Sequence, residues 1–200
     1  FNLFDQSTIK EDFEYILYYM GKTVKINGQP QRVLITSTPL NKDYDDRKIT
    51  TLTPLNRGDI VEHNGNKYMV ISEVTDERYF KYKAIIRHLP LSVIVNHNCQ
   101  FIPVDCFVET QNLGVSGGQV IEFEDGKIRL HTQDNEETRK IKVDDRFVKF
   151  GQAFKIVGVD RFSRPGELIL FCEKELIHDS NDDIENDLAG AKACSITITN

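Results

Sequence analysis

The amino-acid sequence predicts a mainly β chain, two tandem small antiparallel β-barrel-like domains preceded by one amphipathic helix. Three observations carry this reading. Asn27-Gly28, Asn64-Gly65 and Asp125-Gly126 each stand between short apolar runs, and such dipeptides take the two positive φ values of a type I′ turn, whose twist matches paired strands. A helical period occurs once, near the start. The order of features in the first half recurs in the second.

The helix comes first. Ile9, Phe13, Ile16, Leu17 and Met20 recur at three- and four-residue steps and form one apolar stripe. Thr8 with Glu11 three residues on makes a capping box, and Gly21 is placed to end the helix in a left-handed conformation, so residues 9–20 are expected to be helical.

The period then changes. Val24-Lys25-Ile26 and Val33-Leu34-Ile35 flank the first turn, Ile60-Val61 and Tyr68-Met69-Val70-Ile71 the second, Ile121-Glu122-Phe123 and Ile128-Arg129-Leu130 the third. Further strands are expected at 47–52, 79–88, 91–95, 101–108, 139–143, 153–159 and 167–173. The first half runs through the Asn27-Gly28 hairpin, a polar excursion, Asp46-Arg47-Lys48-Ile49, a turn at Gly65, and Tyr68 to Val74. The second runs through the Asp125-Gly126 hairpin, Thr138-Arg139-Lys140-Ile141, a turn at Gly151, and Phe154 to Val159. Chance likeness between strand-rich segments is the alternative; the shared order counts against it. The expected organisation is a helix and first barrel over residues 1–97, a related barrel over 98–176, and an acidic linker or tail over 177–200 with an extra strand from Ser195. Residues 112–118 are expected to form a mobile loop.

Composition narrows the function. The 25 Lys and Arg against 31 Asp and Glu give a net charge of -6, so the chain as a whole does not attract phosphate or an anionic membrane. Cys99, Cys106, Cys172 and Cys194 form no CxxC pair and have no His at ligand spacing, which favours buried free thiols. No apolar run reaches the roughly 18 residues that span a bilayer, and the first residues lack a basic n-region, so a cytosolic product is expected. His63, His88, His97, His131 and His178 are scattered. No P-loop, GxSxG, HExxH or dinucleotide fingerprint is present, and Gly114-Val115-Ser116-Gly117-Gly118 lacks the Lys and helix that phosphate binding requires. The carboxylate pairs Asp45-Asp46 and Asp144-Asp145 each adjoin a basic residue and read as solvated turns rather than acid–base pairs. No catalytic, cofactor-binding or metal-ligating residue is expected.

One excursion differs between the repeats. Residues 37–46 join the second strand to the Arg47 strand, while the segment aligned with it, 131–137, is shorter. Long loops on small barrels carry recognition, because the barrel is consumed by packing. Tyr44 among carboxylates, followed by Arg47 and Lys48, suits a complementary neighbouring surface; a solvated loop is the alternative.

The runs Asp43-Tyr44-Asp45-Asp46-Arg47-Lys48-Ile49, Arg57-Gly58-Asp59-Ile60-Val61, Asn64-Gly65-Asn66-Lys67-Tyr68 and Val70-Ile71-Ser72-Glu73 resemble the structural proteins that tailed phages and prophages of Gram-positive bacteria place at the head-tail junction. The pattern is similar to head-completion or stopper proteins. Gly166-Glu167-Leu168-Ile169-Leu170-Phe171 with Lys174-Glu175-Leu176-Ile177 resembles the close of longer phage minor structural proteins. The resemblance implies a non-enzymatic connector without cofactor, assembled in the bacterial cytoplasm into the virion. It would form a homo-oligomeric ring between portal or adaptor and tail, near packaged DNA and away from membrane. It also implies that Ser37, Leu40, Lys42, Asp43, Tyr44, Asp45, Asp46, Arg47 and Lys48 form a channel-facing or partner-contacting loop, with an acidic lining that repels phosphate. Other readings are a tail-tube, tail-terminator or baseplate component, or a carbohydrate- or host-surface-binding module.

Overall fold

Asn27 and Gly28 take φ values of 48° and 80°, Asn64 and Gly65 values of 51° and 77°, and each pair reverses the chain between two antiparallel strands. These turns organise the first of two units in the computed structural model, which describes residues 6–74, 80–109, 114–116, 119–121 and 126–197. The units are Phe1–Leu89 and Pro90–Asn200.

The first unit contains α1 (Gln6–Met20), β1 (Lys22–Ile26), β2 (Gln29–Ser37), β3 (Asp46–Thr51), β4 (Ile60–His63), β5 (Asn66–Val70) and β6 (Tyr82–His88). The strands close into a barrel in the order β1-β2-β3-β6-β5-β4. Alternate residues point inward, among them Val24, Ile26, Val33, Ile49, Val61 and Ile86, and each such buried side chain stabilises the fold by about 1.5–3 kcal/mol. The helix starts at Gln6, three residues before its expected start, so Thr8 lies inside it and not at its cap. Its apolar stripe is narrower than expected. Phe13 and Leu17 are buried, while Ile16 and Met20 are exposed. Gly21 does not take the expected left-handed φ; its N–H continues the helical bonding to the Leu17 carbonyl at 3.0 Å, and a Cβ there would clash with that oxygen.

The second unit contains β7 (Leu91–His97), β8 (Gln100–Glu109), β9 (Gly114–Ser116), β10 (Gln119–Ile121), β11 (Lys127–Gln133), β12 (Arg146–Lys149), β13 (Gln152–Asp160), β14 (Glu167–Glu175) and α2 (Ala191–Thr197). Its barrel order is β11-β14-β13-β12-β7-β8. Taken in chain order, leaving aside the separate β9-β10 pair, its six strands follow the same first-second-third-sixth-fifth-fourth circuit as the first barrel. The duplication predicted from sequence is therefore present, in a different alignment. The counterpart of Asn27-Gly28 is Asn98-Cys99, with φ values of 48° and 65°, and not Asp125-Gly126. The strand after Gly126 pairs with β14 and β8; residues 122–125 lie outside the described residues. Since β7 pairs with β8 and β12, it belongs to the second barrel, and the units divide after Leu89 instead of after residue 97.

Further expectations change. Residues 138–140 form a 3-10 turn instead of a strand, because the Asn135 side chain accepts the amides of Glu137 and Thr138, each at 3.0 Å. The strand in that region is β12. Of the loop expected over 112–118, residues 114–116 pair with β10 and the rest lies outside the described residues.

The acidic tail is structured. Asp182 is 0% exposed and Ala189 1%, Ala189 packs with Val148, Ala153 and Ile177, and the expected terminal strand is replaced by α2, with residues 198–200 outside the described residues. Counting from the Phe150-Gly151 and Asn64-Gly65 turns explains why this face of the second barrel is covered. The cross-strand pair on its outer face is Val148↔Ala153, where the first barrel has Glu62↔Lys67. An apolar pair needs burial and a charged pair does not. Of the four cysteines expected to be buried free thiols, Cys99 and Cys194 instead form a disulfide, while Cys106 and Cys172 are buried and free.

Candidate functional site

The excursion, residues 38–45, connects β2 to β3 at the end of the first barrel that also holds the Asn64-Gly65 turn. In the second barrel the equivalent connection, β8 to β11, is the longest of that barrel and contains β9 and β10. In the first unit the longest connection is instead β5 to β6, residues 71–81, and the segment 131–137 is not the counterpart of residues 38–45.

The base of the loop is built by β3, β5 and β6. Ser37 ends β2 opposite Arg47, and the Thr38 hydroxyl donates to the Asp46 carbonyl at 2.6 Å. Asp46 and Arg87 are cross-strand partners, and the guanidinium donates to both carboxylate oxygens at 2.7 and 2.8 Å. The same guanidinium lies 3.8 Å from the centre of the Tyr44 ring. Asp45 accepts from Arg47 at 3.3 and 3.0 Å and from the Tyr68 hydroxyl at 3.4 Å, while its carbonyl accepts the His88 amide at 3.2 Å. The Arg47 hydrogen bond, against the opposing effect of burial, holds the Asp45 carboxyl below its ordinary range. Burial pushes the Tyr68 phenol up.

The tip differs from the base. Asp43 donates its amide to the Asn41 side chain at 2.9 Å, a local Asx turn. Leu40 is 103% exposed, and Lys42 and Asp43 are exposed beside it. The loop encloses a concavity of about 680 Å3. Lys48 stands apart, exposed on the strand opposite Ile85. Eight of the nine predicted residues thus gather in one loop and its base. Tyr68, Arg87 and His88, which hold the base, were missed because they lie 20 or more residues away and carry no local signal. The acidic lining expected of Asp45 and Asp46 is not present at the base, where Arg47 and Arg87 match them.

A second, buried polar cluster lies on the outer face of the β8-β11-β14 wall of the other unit, opposite the core side chains Leu130, Leu168 and Cys106. His131, 1% exposed, stacks on Phe107 and faces two carboxylates, Glu167 at 2.5 Å and Glu109 at 3.2 Å. Among the described residues no group of three or more His, Cys, Asp or Glu is arranged to hold a metal ion, and no helix is long and apolar enough to cross a membrane.

This geometry defines a two-barrel protein whose most exposed apolar side chain among the described residues stands on a braced loop. The chain matches the YomX N-terminal domain over residues 2–88 and the YomX C-terminal domain over residues 62–173. It belongs to the YomX family, a phage-derived family named from a Bacillus prophage. No curated protein matches it. Among solved structures, the K. pneumonia MrkH-c-di-GMP complex is similar at 10% identity, covering 98% of this chain and 94% of that one with a TM-score of 0.24. K. pneumonia MrkH in its apo state is similar at 9% identity, covering 98% and 92%, with a TM-score of 0.23. Similarity at that level carries no functional argument.

Proposed function

We propose that this protein is a virion structural component at the phage head-tail junction. It forms a homo-oligomeric ring that joins portal or adaptor to tail and helps to retain packaged DNA, and it works through contact surfaces without enzymatic turnover. The observation that carries this reading is the contrast within the 38–45 loop. Its base is fixed by the paired side chains of Asp45, Asp46, Arg47 and Arg87, while Leu40 at its tip is 103% exposed. A preorganised loop presenting an apolar side chain loses little freedom when a partner buries it, and central apolar anchors dominate interface energies. The barrels support the reading, because closed sheets leave no free edge to pair and so hand recognition to loops. Membership of a phage-derived family agrees with it, and the net charge of -6 gives the chain as a whole no attraction for DNA phosphate.

Electron microscopy of assembled particles with this chain labelled tests the location. Several copies in a symmetric ring between head and tail are expected; absence from particles would overturn the proposal, and a position along the tail would replace it with a tail component. Leu40→Asp should leave the purified chain folded and reduce its incorporation into particles at least tenfold.

A further inference from the structure

The second barrel is thinnest where β7 meets β12, which share the single pair Asn96↔Arg146. The same two residues hold the segment that returns over this seam. Arg146 donates to Glu175, to both Asp182 oxygens at 3.2 and 3.3 Å, and to the Leu176 carbonyl at 3.1 Å. Asn96 donates to the Ala189 carbonyl at 2.7 Å. Asp182 then accepts the amides of His178 and Gly190 at 2.9 and 2.7 Å, which folds residues 178–190 into a plug over Val148 and Ala153.

Past Gly190 the fastening becomes covalent. Cys194 of α2 is joined to Cys99, 95 residues earlier, with Cα atoms 5.4 Å apart. Cys99 is exposed at the tip of the β7-β8 turn, in the left-handed position that Gly28 fills in the first barrel. A cysteine is an unfavourable residue at such a φ, and the cross-link is what this one provides. The other two thiols are unsuited to exchange. Cys106 and Cys172 are 0% and 1% exposed, and burial pushes the Cys106 thiol up to about 12 and the Cys172 thiol higher still, so the reactive thiolate is scarce at both.

We propose that residues 177–197 form a redox-set clasp, in which the Cys99–Cys194 disulfide fastens α2 to the β7-β8 turn and reduction releases α2 while the Arg146–Asp182 pair keeps the plug seated. In opening, a dithiol transfers two electrons and two protons to the S–S bond; two cysteine thiols form and the reductant becomes a cyclic disulfide. In closing, the two thiols exchange with a small-molecule disulfide, which leaves as two thiols. The clasp is open in a thiol-rich compartment and closed once the protein meets an oxidising medium.

The test uses the full chain, equilibrated with oxidised glutathione or with dithiothreitol, then treated with N-ethylmaleimide and briefly with trypsin, and read by peptide mass mapping. Without reductant, neither Cys99 nor Cys194 should take up maleimide, and Lys192, whose ammonium bonds the Asp179 carbonyl at 2.8 Å, should resist cleavage. With reductant, Cys99 and Cys194 should be labelled, Cys106 and Cys172 should not, and cleavage after Lys192 should rise at least tenfold. Labelling of Cys99 and Cys194 in the oxidised sample, or cleavage that ignores reduction, overturns the proposal. Cys194→Ser, checked for folding by circular dichroism, should cleave at the fast rate with or without reductant; cleavage at the slow rate likewise overturns it.

Discussion

Arg87 holds Asp46 across the β3-β6 ladder through two parallel hydrogen bonds of 2.7 and 2.8 Å, and the side chains are only 16% and 14% exposed. Cross-strand neighbours separated by 41 residues thereby fix the root of the 38–45 loop. Bidentate, partly desolvated pairs of this kind are stronger than surface ion pairs. Arg87→Met should cost about 2 kcal/mol in chemical denaturation and speed proteolysis after Lys42, while strand content stays unchanged because the backbone ladder does not need the side chain. Loss of the barrel together with the loop brace would show that the pair supports the fold and not the loop.

Asp182 links the plug to pH. Burial raises the pKa of its carboxyl, but the amides of His178 and Gly190 and the Arg146 guanidinium outweigh that, so its folded value lies below the ordinary 3.8. The folded state therefore favours the carboxylate. Its stabilising contribution is full above pH 3.8 and is lost as acid brings the pH down through the lower folded value. Hydrogen exchange of the Gly190 amide should accelerate in that acid range in the wild type. Asp182→Asn should exchange fast already at neutral pH and show no acid step.

The His131–Glu167 pair is buried at 1% and 0% exposure, and Glu167 Oε2 has no hydrogen-bond partner among the described residues. Removing the imidazole alone leaves a buried carboxylate on the outer face of the barrel wall with Arg164, 3.5 Å away, as the remaining ionic contact among the described residues. His131→Leu should cost about 3–5 kcal/mol, and the double change with Glu167→Met should recover most of it, because an apolar pair has no desolvation penalty to offset. Equal destabilisation of the single and double variants in urea titrations would contradict this.

Phe150 stands where Asn stands at the Asn27, Asn64 and Asn98 turns, at a φ of 49° and 74% exposed. Asn tolerates that conformation and a bulky aromatic ring does not. Phe150→Asn should therefore raise the stability of the free protein by about 1 kcal/mol in thermal melts; a lower melting temperature would mean that the ring makes a stabilising contact in the folded chain.

The parts legible beforehand were those settled within a few residues. Asn27-Gly28 and Asn64-Gly65 announce their hairpins because φ preference is a property of the dipeptide, and alternation in the flanking strands says which side chains face a core. The 38–45 loop was legible as a polar run between strands. Its bracing by Tyr68, Arg87 and His88 was not, since these residues meet it only when β5 and β6 pair across the barrel. The acidic run from Asp179 to Asp187 reads as solvated for the same reason, because Arg146, which accounts for the burial of Asp182, lies 36 residues earlier.

By itself, then, the sequence determined that this is a duplicated β protein with an N-terminal helix, because hydrophobic period and turn chemistry are local and additive. Tertiary structure alone decided how the two copies align, since a Cys at the Asn98-Cys99 turn hides a hairpin that closure of the barrel reveals. It also decided that the chain's last acidic segment is a cover, joined by a disulfide spanning 95 residues. Burial and pairing at such separations depend on which surfaces the folded sheets bring together, and no short window of residues encodes that.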